Sequence, residues 1–136
     1  MTHIIYTLTG DPTPLARPRQ GGRYNNVHVI DSQAHIKLVA GIKIQDQHGD
    51  HPAYTGALEL NGLFYFPAYV PYRKKKVGED QWHTQKPLLT NLIRFIEDIG
   101  ITCKLFADDA KIARIIAQKK FAKDPRIEFW FIPLKE

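Results

Sequence analysis

An α+β fold, one mixed β-sheet with about two helices packed against it, is predicted by three features of this sequence. Apolar and polar residues alternate at its start, three longer runs are dense in aromatic and β-branched residues, and one stretch carries leucine and isoleucine at helical spacing. With 136 residues and 43% hydrophobic content, such a chain removes roughly two-thirds of its unfolded surface from water on folding, so one domain, 1–136, around one core is expected.

In Thr2–Leu8 the residues Ile4, Tyr6 and Leu8 share one face, the period of a half-buried strand, and the pattern stops at Gly10. Three prolines in Asp11–Arg19 forbid helix and interior strand, which leaves an extended loop displaying Arg17 and Arg19. A short strand fits Tyr24–Ile30. Asp31 or Ser32 can cap a helix with the apolar face Ala34, Leu38, Val39 and Ile42, and Gly49 marks the turn after it. Ala57–Tyr69 reads as a central strand, ending where Pro67 and Pro71 remove ladder donors. A charged loop, Arg73-Lys-Lys-Lys-Val-Gly-Glu-Asp, follows. Leu89, Leu92, Ile93, Ile96 and Ile99 then define an amphipathic helix over 88–99, closed by Gly100. The last two strands are Ile112–Phe121 and Arg126–Ile132, joined by a turn at Lys123-Asp-Pro.

Charge narrows the function. Nineteen Lys and Arg against fourteen Asp and Glu give +5, yet residues 1–70 sum to zero, so the whole surplus lies in the second half. A one-sided basic field suits a polyanion, because each neutralised phosphate releases counterions. The single Cys103 forms no internal disulfide and supplies no metal cage by itself. No run of about 18 apolar residues exists to span a bilayer, and the first residues lack the basic region and cleavage site of a signal peptide, so a cytoplasmic protein is expected. The six histidines show no zinc spacing, and the lone Ser32 sits in a helix-capping position. Gly10, Gly21 and Gly22 make no phosphate cradle.

Asp108-Asp109 remains as a carboxylate pair where a loop meets a strand, a place that suits either a divalent cation or a simple turn cap. Metal-assisted phosphodiester hydrolysis needs several carboxylates converging on the ion, so Asp109 needs company.

Two segments resemble the RusA-like Holliday junction resolvases of bacteria and their phages. Gly10-Asp-Pro-Thr-Pro-Leu-Ala-Arg-Pro-Arg is similar to the family's N-terminal Gly-x-Pro-x-Pro-x-x-Arg-Pro-Arg pattern. His83-Thr-Gln-Lys-Pro, Asn91-Leu-Ile-Arg, Asp98, Phe106-Ala-Asp-Asp-Ala-Lys-Ile and Lys119-Lys-Phe follow the order of the family's core. There, a Lys-Pro-Asp-x-Asp-Asn-Leu-x-Lys element opens a helix and an Asp-Asp-x-x-Ile element follows it. The resemblance runs from Gly10 to about Phe131 and implies a RusA-like fold, a homodimer, branched DNA as partner and Mg2+ as cofactor.

It also implies a loss. The two aspartates that open the family's helix and share magnesium with the downstream pair are matched here by Leu88 and Thr90. Asp109 matches the retained metal-binding aspartate and Asp108 its neighbour. Asn91 matches the following asparagine, and Arg94 the helix lysine used near the scissile phosphate. Leucine offers no oxygen and threonine only a neutral one, so magnesium affinity and junction cleavage are expected to be impaired. Asp98 lies roughly 12 Å along the helix from Thr90, too far to replace it, and Glu79 or Asp80 would serve only if their loop folded over the site. The binding side is better preserved: Arg17, Arg19, Arg73, Lys74, Lys75, Lys76, Lys86, Lys119 and Lys120 remain as candidate phosphate partners, with Lys111 and Arg114 beside them. Tyr69, Tyr72 and Trp82 flank the basic loop and suit stacking on unpaired bases. The reading is therefore a junction-binding protein of this family with impaired cleavage. The alternative is an inactive DNA-binding or protein-interaction module derived from the same fold.

Overall fold

The computed structural model describes residues 3–12, 19–21, 28–30, 34–70, 75–76 and 78–135. In chain order these give β1 (Tyr6–Thr9), β2 (Arg19–Gly21), β3 (His28–Ile30) and α1 (Ala34–His48). Next come β4 (Leu58–Pro67), β5 (Tyr69–Val70), β6 (Lys75–Lys76) and α2 (Leu89–Thr102), then β7 (Ile112–Ala122) and β8 (Arg126–Pro133). The arrangement is the α+β class expected from the sequence. Four strands make the mixed sheet in the order β1-β8-β4-β7, with β4 parallel to β7 and antiparallel to β8. Two small ribbons, β2-β3 and β5-β6, stand apart from it.

Alternation puts the core on one side of the sheet. Tyr6, Leu60, Phe64, Ile127, Phe129 and Phe131 are buried there against Leu92, Phe95, Ile96 and Ile99 of α2 and Ala40 and Ile44 of α1. Tyr6 stacks on Phe129 with ring centroids 5.1 Å apart, and Phe106 meets Phe131 edge-on at 5.4 Å. Each such ring contributes roughly 1.5–3 kcal/mol by leaving water.

Several local expectations need correction. Arg19 belongs to β2, paired with β3 through Arg19↔Ile30, and not to an extended loop. Arg17, the proposed caps Asp31 and Ser32, and Tyr72, Arg73 and Lys74 lie outside the described residues. The basic segment is also less of a loop than expected, because Lys75 and Lys76 pair with Val70 and Tyr69.

Helix α1 buries Ala40, Ile44 and His48, while Leu38 and Ile42 of the expected apolar face stay 62% exposed. Apolar residues fall on nearly every side of this helix, so periodicity selects no face. Close approach selects one instead: the Cys103 thiol donates to the Gly41 carbonyl at 3.3 Å, possible where the helix presents small residues. Helix α2 does not stop at Gly100. Its last turn runs to Thr102, and Gly100 is buried within it, because an added Cβ there would lie 2.4 Å from the Phe106 ring.

Two buried imidazoles make stability sensitive to acid. His83 is 7% exposed, stacks on Phe66 at 3.8 Å, and its Nδ1 has no hydrogen-bond partner. Burial, then the nearby Lys119 ammonium, pushes its pKa down. His48 shares a 2.7 Å hydrogen bond with the Tyr6 hydroxyl, and burial followed by the charge of His51 lowers it too. Below about pH 6.5 the unfolded chain takes up protons that these folded histidines resist. Their contribution to stability is thus complete above that pH and is lost as pH falls through the depressed folded values. The urea midpoint should drop between pH 7.5 and 5.5, with a smaller drop in His83→Phe; an identical pH dependence in that variant would contradict the assignment.

Candidate active site and nucleic-acid interface

The acidic site is built by α2 and the loop that follows it. Residues Thr90, Arg94, Glu97 and Ile101 are spaced four, three and four apart, so they form one stripe along α2. Phe106, 2% exposed, anchors the following loop in the core, and the Tyr54 amide donates to the Leu105 carbonyl at 2.7 Å. That anchorage brings Ala107, Asp108 and Asp109 over the C-terminal half of α2. Arg94, Glu97, Asp98, Ile101, Ala107, Asp108 and Asp109 line a cleft of about 490 Å3.

The carboxylates in this cleft have different environments. Asp108 is extended (φ −154°, ψ 137°) and caps the short 3-10 turn Asp109–Lys111, accepting from the Ala110 amide at 3.0 Å. That bond, and a second with Asp109, hold its carboxyl below the usual range. Its role as a turn cap is therefore visible in the geometry. Burial and then the charge of Asp109 push Glu97 upward, opposed by Arg94. Asp98 pairs with Lys37 of α1 at 3.1 Å, an exposed ion pair of at most about 1 kcal/mol.

Asp98, about 12 Å along α2 from Thr90, shares a cleft with Asp109, and Glu97 joins them there. The relevant distance is to Asp109, which docks over the helix's second half, where both residues reach the same cleft. Glu79 and Asp80 are excluded as substitutes by topology: the Asp80 amide donates to the Phe121 carbonyl at 2.9 Å, at the far end of β7, roughly 30 Å along the strand from Asp109. Leu88 and Thr90 do not line the cleft. Leu88 occupies the N-cap of α2 with φ −68° and ψ 141°, makes no side-chain cap bond and is 56% exposed. Among the described residues, no three His, Cys, Asp or Glu side chains are placed to hold a metal ion.

The candidate DNA contacts divide. Arg94 reaches the cleft, whereas Asn91 lies about one turn earlier on α2 and Lys86 is exposed in the approach to the helix. Lys119 was expected to meet phosphate, but its ammonium donates to the Gln85 and Pro87 carbonyls at 2.8 and 2.7 Å, clamping the segment that enters α2. Its neighbour Lys120 points to the other face of β7, where its ammonium lies 4.6 Å from the centre of the Trp82 ring. Arg114 is ion-paired with the buried Glu59 at 2.5 Å. Asn61 and Arg114 hold the Glu59 carboxyl low despite its burial. The backbone of Arg19, Lys75 and Lys76 is placed in β2 and β6.

A mixed sheet backed by two helices thus carries an aspartate pair docked over the second helix. The chain belongs to the endodeoxyribonuclease RusA family, whose model matches residues 9–129. It is also similar to the uncharacterized protein YqaN of Bacillus subtilis strain 168, 26% identical over 140 residues that cover 94% of each chain. The family's function is Holliday junction resolution, and its members depend on magnesium. No helix among the described residues is long and apolar enough to cross a membrane.

Proposed function

We propose that this protein binds branched DNA, four-way junctions above all, as a homodimer, and that it is deficient in the family's magnesium-dependent cleavage. The observation that carries this reading is the entry to α2, where an exposed, uncapping Leu88 and an exposed Thr90 lie at the positions that the resemblance matches to the family's two aspartates. The remaining carboxylates do not fit magnesium as the family would hold it. Asp108 is engaged with the Ala110 amide and with Asp109, and burial together with the charge of Asp109 disfavours the ionised form of Glu97.

The binding half of the reading rests on family membership and on the basic surplus of residues 71–136. Arg94 and Lys86 remain available to phosphate near α2. A two-fold assembly suits a four-way junction because it addresses symmetry-related strands alike. The exposed Leu38 and Ile42 of α1 supply an apolar surface of the kind a second copy would cover.

In a salt-matched gel shift, the protein should bind a four-way junction more tightly than linear duplex of equal length. Its affinity should fall with salt at a log–log slope of about −0.9 per phosphate contact. Equal affinity for the two DNAs would contradict junction selectivity.

A further inference from the structure

The side of the sheet turned away from the helices carries a row of four side chains that alternate aromatic and cationic. Tyr65 of β4 pairs with Lys120 of β7 on one side and with Arg126 of β8 on the other, and Trp82 bridges to Lys120 from beyond the sheet edge. Paired residues share a face, and strands lie about 4.8 Å apart, so the row Trp82–Lys120–Tyr65–Arg126 spans roughly 14 Å. Both cations sit over rings: Lys120 Nζ is 4.6 Å from the Trp82 centroid and Arg126 Cζ 4.1 Å from that of Tyr65. Trp82 is nonetheless 62% exposed, an expensive placement for so large an apolar ring.

We propose that this row is a stacking site for unpaired nucleobases, with Trp82 as the platform and Lys120 and Arg126 as the phosphate partners. The proposal deepens the branched-DNA reading and rests on it. Chemistry selects the occupant. Every base has a π-face that an exposed indole accepts whatever the sequence, and cations two strands apart can follow a backbone of alternating phosphates. Arg126 is bound to the Glu128 carboxylate and to the Asp124 carbonyl, both at 2.9 Å, and feels the Asp124 charge as well, which leaves Lys120 the less engaged cation of the row. Location agrees. The Lys75–Lys76 ribbon leaves the same end of β4 that bears Tyr65, and Lys119 ties the Trp82 segment to the start of α2 through Gln85 and Pro87. Bases that pass from the start of α2 around the β7 edge would meet this row first at Trp82.

The test is a fluorescence titration of the full chain with a dodecameric oligothymidylate, in a Trp130→Phe background that leaves Trp82 as the reporter. Binding should quench the indole. Trp82→Ala should weaken oligothymidylate binding roughly 5- to 100-fold while changing duplex affinity less than about twofold, and Trp82→Phe should retain most of the affinity. Because Trp82 is exposed, circular dichroism and urea unfolding of both variants should match the parent. Undiminished oligothymidylate binding by Trp82→Ala would overturn the stacking site while leaving junction binding intact. Equal competition by polyglutamate would also overturn it, in favour of a general polyanion surface. Failure to bind any DNA, junction included, would overturn both this site and the reading beneath it.

Discussion

Leu88→Asp combined with Thr90→Asp should give a protein that cuts a labelled four-way junction in magnesium, where the unmodified chain leaves it intact. The fold is prepared for both changes. Position 88 is an N-cap with extended backbone and no cap bond, so an aspartate there can accept from the first-turn amides and stabilise α2 by roughly 0.5–2 kcal/mol. Position 90 is exposed and one turn before Arg94 on the same stripe, about 6 Å along the axis, so its carboxylate would face the N-terminal mouth of the cleft that holds Asp109. Supporting contacts shaped for other residues should keep the rescued rate roughly 10- to 100-fold below that of a complete site. Each single variant should remain inactive, and adding Asp109→Asn to the double variant should remove the regained cleavage. A double variant that folds, binds junction and shows no cleavage at any magnesium concentration would mean that Asp109 docks too far down α2 to complete the set.

Gly100→Ala should destabilise the fold by about 1–3 kcal/mol even though alanine is the better helix former by about 1 kcal/mol. The new methyl would fall 2.4 and 2.5 Å from two carbons of the Phe106 ring. That ring is 2% exposed and wedged against Phe131, so it has nowhere to retreat. Phe106 also anchors the loop carrying Asp108 and Asp109, which means that the same substitution should loosen the cleft. Gly41→Ala is the matched control: its methyl would meet only the Cys103 sulfur at an ordinary 3.6 Å, so stability should hold or rise slightly. Urea unfolding of the two variants separates the effects, and equal stabilities would refute the packing argument.

Much of this architecture was legible in the sequence because strand and helix periods differ. The alternation Ile4, Tyr6, Leu8 led to β1, and the β-branched run after Asp109 led to β7 despite its helix-like lysines and alanines. What was not legible depends on three-dimensional approach. Helix α1 is apolar nearly all round, so its packing on β1, through Gln47–Thr7 and His48–Tyr6, and on Cys103 decides which side is buried. Gly100 carries the signal of a helix end, yet its lack of a side chain serves Phe106. Consecutive lysines on a strand face opposite ways, so Lys119 and Lys120, grouped from the sequence as phosphate partners, part company in β7: one clamps Gln85 and Pro87, the other lies over Trp82. The alternating row on the sheet needed the register of three strands, which no local pattern encodes. Glu97 was not singled out in the sequence, because only the docking of Asp109 over α2 determines which helix residues share the cleft.

The central claim, that the protein holds junctions without cutting them, is tested most directly by incubating the unmodified protein with a labelled four-way junction and magnesium. Binding is read by gel shift and strand scission on a denaturing gel of the same samples. The account predicts a retarded complex whose strands stay full length. Symmetrical, magnesium-dependent nicking that disappears in Asp109→Asn would contradict it and make the Glu97–Asp109 cleft a working nuclease site.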